Sequence, residues 1–98
     1  MLYALTCLDK PGALETRLAT RPAHIDYVRS LGDAVKMGGP LFAEDGETMI
    51  GSLLMIEAPD QATVEKIAAN DPYELAGVFE SVSIRGFKWV INAPEGAS

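Results

Sequence analysis

The chain predicts an α+β protein of the ferredoxin-like βαββαβ class, an antiparallel four-stranded sheet with its helices on one face. Two observations predict it. Apolar runs and amphipathic stretches follow the order strand, helix, strand, strand, helix, strand, which is the split βαβ pattern. The 98 residues, 48% of them hydrophobic at a mean hydropathy of +0.11, suffice for one core and leave no room for a second.

Taken in order, Leu2 to Leu8 is apolar at nearly every position, as in a central strand covered on both faces. Asp9-Lys10-Pro11-Gly12 then turns the chain. Ala13 to Thr20 predicts a short helix stopped before Pro22, because the residue preceding a proline avoids the α region. A better helix runs from about Pro22 to Leu31, with Thr20 or Arg21 near its cap and Pro22 in its first turn. Tyr27, Val28 and Leu31 form its apolar stripe, and His24 shares that stripe, so the imidazole faces the sheet. Gly32 and Asp33 end it.

Val35 to Ala43 reads as a strand interrupted at Gly38-Gly39-Pro40, residues that mark a bulge or an edge. Glu44 to Glu47 is a hairpin turn. Met49 to Glu57 is a strong strand, with Ile50, Ser52, Leu54 and Ile56 on one face and Leu53 and Met55 on the other. Asp60 to Ala69 is an amphipathic helix packing Val64, Ile67 and Ala68 inward. Asn70-Asp71-Pro72 breaks it, and Tyr73 to Ala76 predicts one further turn. The last strand spans Ser81 to Ile91, and its inward set changes phase from Val82 and Ile84 to Phe87, Trp89 and Ile91. A bulge near Gly86 would explain that change. The domain therefore covers residues 1–91, and 92–98 form a flexible C-terminal tail. Helices on one face leave the other uncovered, which predicts a homodimer through the open sheet face.

Charge narrows the function. Fourteen acidic and eight basic residues give −6, and the basic residues are spread without a stripe, which argues against nucleic-acid binding. No apolar run reaches the ~20 residues of a membrane span, and no basic start followed by an apolar stretch suggests a secretory signal. A cytoplasmic protein is the economical expectation, with no membrane partner. Cys7 is the only cysteine, which excludes an intramolecular disulfide and fits a small buried hydrophobe. One histidine and one cysteine do not make a usual zinc site, and no metal is expected.

His24 is the only histidine and the natural candidate for moving a proton near neutral pH. Asp71, fixed in the turn Asp71-Pro72-Tyr73, is its candidate partner, and the sequence leaves open whether the fold brings the two together. A carboxylate on one ring nitrogen would fix the tautomer for general-base work. The alternatives are a core histidine held by a backbone carbonyl and an aspartate that only caps its own turn. Asp26, two residues from His24, points about 200° away around a helix and is no partner. Arg21 is either a binder of a substrate carboxylate or phenolate or a solvated helix-end arginine. Tyr27 and Tyr73 are candidate pocket residues, with core packing as the alternative for Tyr73. Ser52 is either a ligand donor or a small residue that leaves room for a pocket, since no G-x-S-x-G surrounds it. Gly38-Gly39 lacks the rest of a phosphate loop.

The cues Arg21-Pro22-Ala23-His24, Gly38-Gly39-Pro40, Gly51-Ser52, Asp71-Pro72-Tyr73 and Val82 to Lys88, in register from Leu2 to about Val90, resemble the YciI-like (YCII-related) family. The resemblance implies a dimeric α+β barrel of ferredoxin-like subunits and a catalytic pair at His24 and Asp71. Its relatives include a dehydrochlorinase of chlorinated hydroxyhydroquinones, and muconolactone isomerases share the barrel. The short connection from Glu44 to Thr48 departs from relatives with a longer loop there. Together these readings predict a small enzyme, without a cofactor, that eliminates or isomerises a cyclic or aromatic small molecule by proton transfer. The rival expectation is a non-catalytic ligand-binding or assembly domain in which His24 and Asp71 are structural partners.

Overall fold

The computed structural model describes residues 1–96, so residues 97–98 of the expected tail lie outside the described part. The elements are β1 (Leu2–Asp9), α1 (Leu14–Ser30), a 3-10 turn (Gly32–Ala34), β2 (Val35–Phe42), β3 (Met49–Glu57), α2 (Gln61–Ala69), α3 (Pro72–Leu75) and β4 (Phe79–Phe87). Every strand pairing is antiparallel, in the order β2-β3-β1-β4, which is the ferredoxin-like topology.

Register places one set of side chains under the helices. Tyr3, Leu5 and Cys7 of β1 stand beside Ile56, Leu54 and Ser52 of β3, and they pack with Val64, Ala68 and Tyr73. The two faces assigned to β3 from the sequence are therefore the observed ones. On the other face Ala4, Thr6 and Leu8 align with Met55, Leu53 and Gly51, and Arg85 and Phe87 extend the row onto β4. Among the described elements no helix packs on that face; Leu2 and Met55 are buried within it, whereas Leu8, Met37 and Phe87 stay exposed.

Three expectations need correction. First, α1 is one 17-residue helix, not two helices broken before Pro22, and neither Thr20 nor Arg21 caps anything. Pro22 lies on the exposed side and costs the helix one internal hydrogen bond. The chain tolerates this because the flanking turns are anchored inward at Arg17 and His24. Second, β2 is continuous through Gly38-Gly39-Pro40, with its irregularities at Val35/Met37 and Leu41/Phe42. As an edge strand it accommodates a proline. Third, β4 has no bulge at Gly86, and its register shift lies opposite Leu8/Asp9. The strand ends at Phe87, so Trp89 and Ile91 belong to no strand and explain the apparent change of phase.

Local chemistry fixes the ends. Asp60 accepts a hydrogen bond from the Thr63 amide at 2.9 Å and caps α2. In the hairpin, Asp45 accepts from the Thr48 hydroxyl and from the Thr48 and Glu47 amides, which holds its carboxyl down at about 2. Gly32 turns the chain out of α1 at φ +60, a conformation that disfavours side chains.

Candidate active site

The site is built on α1. Arg17, Arg21, His24 and Val28 recur at helical spacing and line an open cavity of about 270 Å³ between the helix and the sheet. Gly38, Gly39 and Pro40 of β2 form the opposite wall, and Ser52, Leu54 and Tyr73 are also part of the lining. A side chain at Gly38 would run into the Leu54 side chain, so the glycine keeps that wall thin.

His24 Nδ1 lies 2.9 Å from Asp71 Oδ1 and 3.1 Å from Oδ2, with side chains 13% and 5% exposed. An ionised carboxylate can only accept, so this bond requires the proton on Nδ1, and in the neutral imidazole it leaves the Nε2 lone pair free. Asp71 does a second job at the same time. Its Oδ1 accepts from the Tyr73 amide at 2.9 Å and caps α3, with Pro72 in the first turn. The cap and the histidine partner, weighed above as alternatives, coexist on one carboxylate.

Tyr73 follows immediately and is 1% exposed. Its ring stacks on His24 with centroids 4.0 Å apart and planes 18° from parallel. Arg17 lies over the same ring, with its guanidinium carbon 4.3 Å from the centroid. A face covered by imidazole has no room for a guanidinium, so the ring is held between two groups placed two helical turns apart on α1. Burial pushes the Tyr73 hydroxyl pKa upward against the opposing pull of Arg17 and Arg21.

Arg17 and Asp9 are the site residues that the sequence reading missed. Arg17 donates from Nε to Asp9 Oδ2 at 2.6 Å and from Nη2 to Oδ1 at 3.0 Å, and Nη2 also reaches Ser52 Oγ at 2.8 Å. Ser52 accepts that bond, which keeps its own hydroxyl proton for another acceptor. A signal existed: Arg17, Arg21, His24 and Val28 share one helical face, but only if the helix is continuous through Pro22.

Of the residues singled out from the sequence, Arg21, His24, Ser52 and Tyr73 line the cavity, and Asp71 stands behind His24. Tyr27 is not part of that lining. Its hydroxyl donates to the Ile67 carbonyl at 2.8 Å and ties α1 to α2. Cys7 is buried on the sheet beneath, and burial drives its thiol up to about 12. Among the described residues no three His, Cys, Asp or Glu side chains are grouped to hold a metal ion. Nor is any described helix long and apolar enough to cross a membrane.

The geometry is that of a solvent-open cavity with a carboxylate-oriented imidazole at its wall. Comparison with known proteins gives it a family. The chain matches the YCII-related domain over residues 1–88 and belongs to that family. It is 36% identical over 97 residues to Protein YciI of Escherichia coli O6:H1, covering 92% of this chain and 99% of that one. It is 38% identical over 80 residues to derivative of benzaldehyde biosynthesis cluster protein C of Emericella nidulans, covering 74% and 79% of the two chains. A solved structure of 5-chloro-2-hydroxyhydroquinone dehydrochlorinase from Burkholderia phenoliruptrix AC1100, in complex with 2,5-dihydroxybenzoquinone, is similar in fold. It superposes with a TM-score of 0.83 at 32% identity, covering 90% of this chain and 94% of that one.

Proposed function

We propose that the protein is a small enzyme that removes or relocates a proton on a cyclic or aromatic compound, with His24 as general base and Asp71 as its orienting partner. The observation that carries this reading is the His24–Asp71 hydrogen bond at the wall of an open cavity. Nε2 takes a proton from a carbon or hydroxyl of the substrate. The electron pair left behind either expels a leaving group, as in elimination, or is reprotonated at another atom, as in isomerisation. Asp71 stabilises the imidazolium formed in the first step. Arg21, Ser52 and Tyr73 contact the substrate, and the chemistry asks for no cofactor. Similarity to a dehydrochlorinase over 90% of the chain supports the elimination branch.

The working unit in this reading is a homodimer joined through the uncovered sheet face, where Leu8, Met37 and Phe87 are exposed. The rival reading, a binding or assembly domain, draws support from Asp71 also capping α3. An open cavity beside His24, rather than a filled core, favours the enzyme.

Chloride release from 5-chloro-2-hydroxyhydroquinone, followed by a series of cyclic and phenolic analogues, tests this. His24→Gln should lower the rate by about 10²–10⁴-fold, the usual range for losing a general base. A rate unchanged in that variant contradicts the assignment.

A further inference from the structure

The cavity is lined by three of the chain's eight basic residues, Arg17, Arg21 and Arg29, and by none of its fourteen acidic ones. In a protein of charge −6 that is an inverted local balance. The two carboxylates in contact with lining groups, Asp9 and Asp71, are held behind Arg17 and His24 with their side chains buried. Asp9 cancels Arg17. Among the described residues neither Arg21 nor Arg29 has an ion pair, and both are exposed, so they border the cavity from its solvent side. Ile25, Val28, Val35 and Leu54 make the rest of the lining largely apolar.

We propose that the cavity selects single-ring compounds carrying an ionised oxygen substituent, a carboxylate, phenolate or enolate, and that Arg21 and Arg29 set this selectivity. This rests on the reading above for which site holds substrate. An organic anion that leaves water for an apolar wall needs a charged partner there, and guanidinium forks match the oxygens of such anions. The protein's overall negative charge repels anions elsewhere, so a local excess of cation both recruits and orients them. Size limits the ligand too: about 270 Å³ lies just under the ~300–1,000 Å³ range of pockets for drug-sized molecules, room for one ring with substituents.

The test is calorimetric binding of 2,5-dihydroxybenzoate against 2,5-dihydroxybenzamide, which share a ring and hydroxyls and differ in charge. The benzoate should bind about tenfold more tightly at low salt, a difference that added salt erodes. In Arg21→Gln/Arg29→Gln, two exposed positions, the preference should shrink to about twofold or less, whereas His24→Gln should keep most of it. Equal binding of the two compounds, no binding of either at millimolar concentration, or a preference that survives the double substitution overturns the proposal. The two readings fail separately. Anion preference without His24-dependent turnover overturns the enzyme assignment alone, and turnover without anion preference overturns this proposal alone.

Discussion

Arg17 and Asp9 form a bidentate ion pair inside the fold, joining the end of β1 to the first turn of α1, with side chains 2% and 5% exposed. The same guanidinium holds Ser52 and packs on Tyr73, so one side chain organises the cavity wall from behind. Removing one member of a buried pair strands the other charge. Arg17→Met should therefore cost about 3–5 kcal/mol of stability in urea unfolding. Asp9→Leu/Arg17→Met should recover most of that loss. A double variant no more stable than the single one would mean that the hydrogen bond to Ser52 and the packing on Tyr73 carry the stability instead.

Cys7 should be inert. Burial first, then the negative charges of Asp71 and Glu74, raise its thiol from 9.0 to about 12. The folded state thus favours the neutral thiol, and the stability from this group is complete below pH 9.0 and lost as pH rises towards 12. Native protein should resist thiol-specific reagents at neutral pH and react fully once unfolded. Rapid labelling of folded protein would contradict the burial of Cys7.

Gly51 and Gly38 should differ although both are crowded. A Cβ at Gly51 meets the Cys7 backbone carbonyl, which cannot move without shifting β1, whereas at Gly38 it meets the end of the Leu54 side chain. Gly51→Ala should destabilise by about 1–3 kcal/mol, as overpacking does. Gly38→Ala should cost less stability and, by pushing Leu54 into the cavity, weaken ligand binding. Comparing urea midpoints and ligand affinity of the two variants checks both expectations, and the reverse order of stabilities would count against the β1–β3 register.

If the uncovered sheet face joins two copies, charge placed there should separate them. Leu8 is 44% exposed on that face. Sedimentation should find a dimer for the wild-type chain and a monomer for Leu8→Asp, since a stable interface of about 1,200–2,000 Å² tolerates a buried unpaired charge poorly. A wild-type monomer would overturn the dimer, and a Leu8→Asp variant that remains dimeric would place the interface on a different surface.

Much of this was legible from residue order. The element sequence, the two faces of β3 and the buried Cys7 follow from periodicity, because those segments bury one side against an apolar neighbour. His24 and Asp71 stood out as the sole histidine and a carboxylate before a proline. Their contact did not, since 47 residues separate them and only tertiary packing closes that distance. Arg17 was hidden for a physical reason. The helix α1 turns Arg17 and His24 inward and sets Arg21 at the cavity rim, so an apolar stripe appears only further along, at Val28. Pro22 then suggested a break that inward anchoring overrides. In β4, two aromatic or aliphatic residues beyond the strand end, Trp89 and Ile91, imitated an inward face that the strand never reaches.

Asp71→Asn separates a role for Asp71 in the chemistry of His24 from its cap on α3. Asparagine keeps an oxygen for the Tyr73 amide, so the fold should survive, with an unfolding midpoint close to wild type. It cannot supply the negative charge that stabilises an imidazolium. The variant's kcat for chloride release from 5-chloro-2-hydroxyhydroquinone should fall by about 10²–10⁴-fold with the fold intact. A folded Asp71→Asn protein turning over at the wild-type rate would contradict that role and leave Asp71 as a helix cap alone.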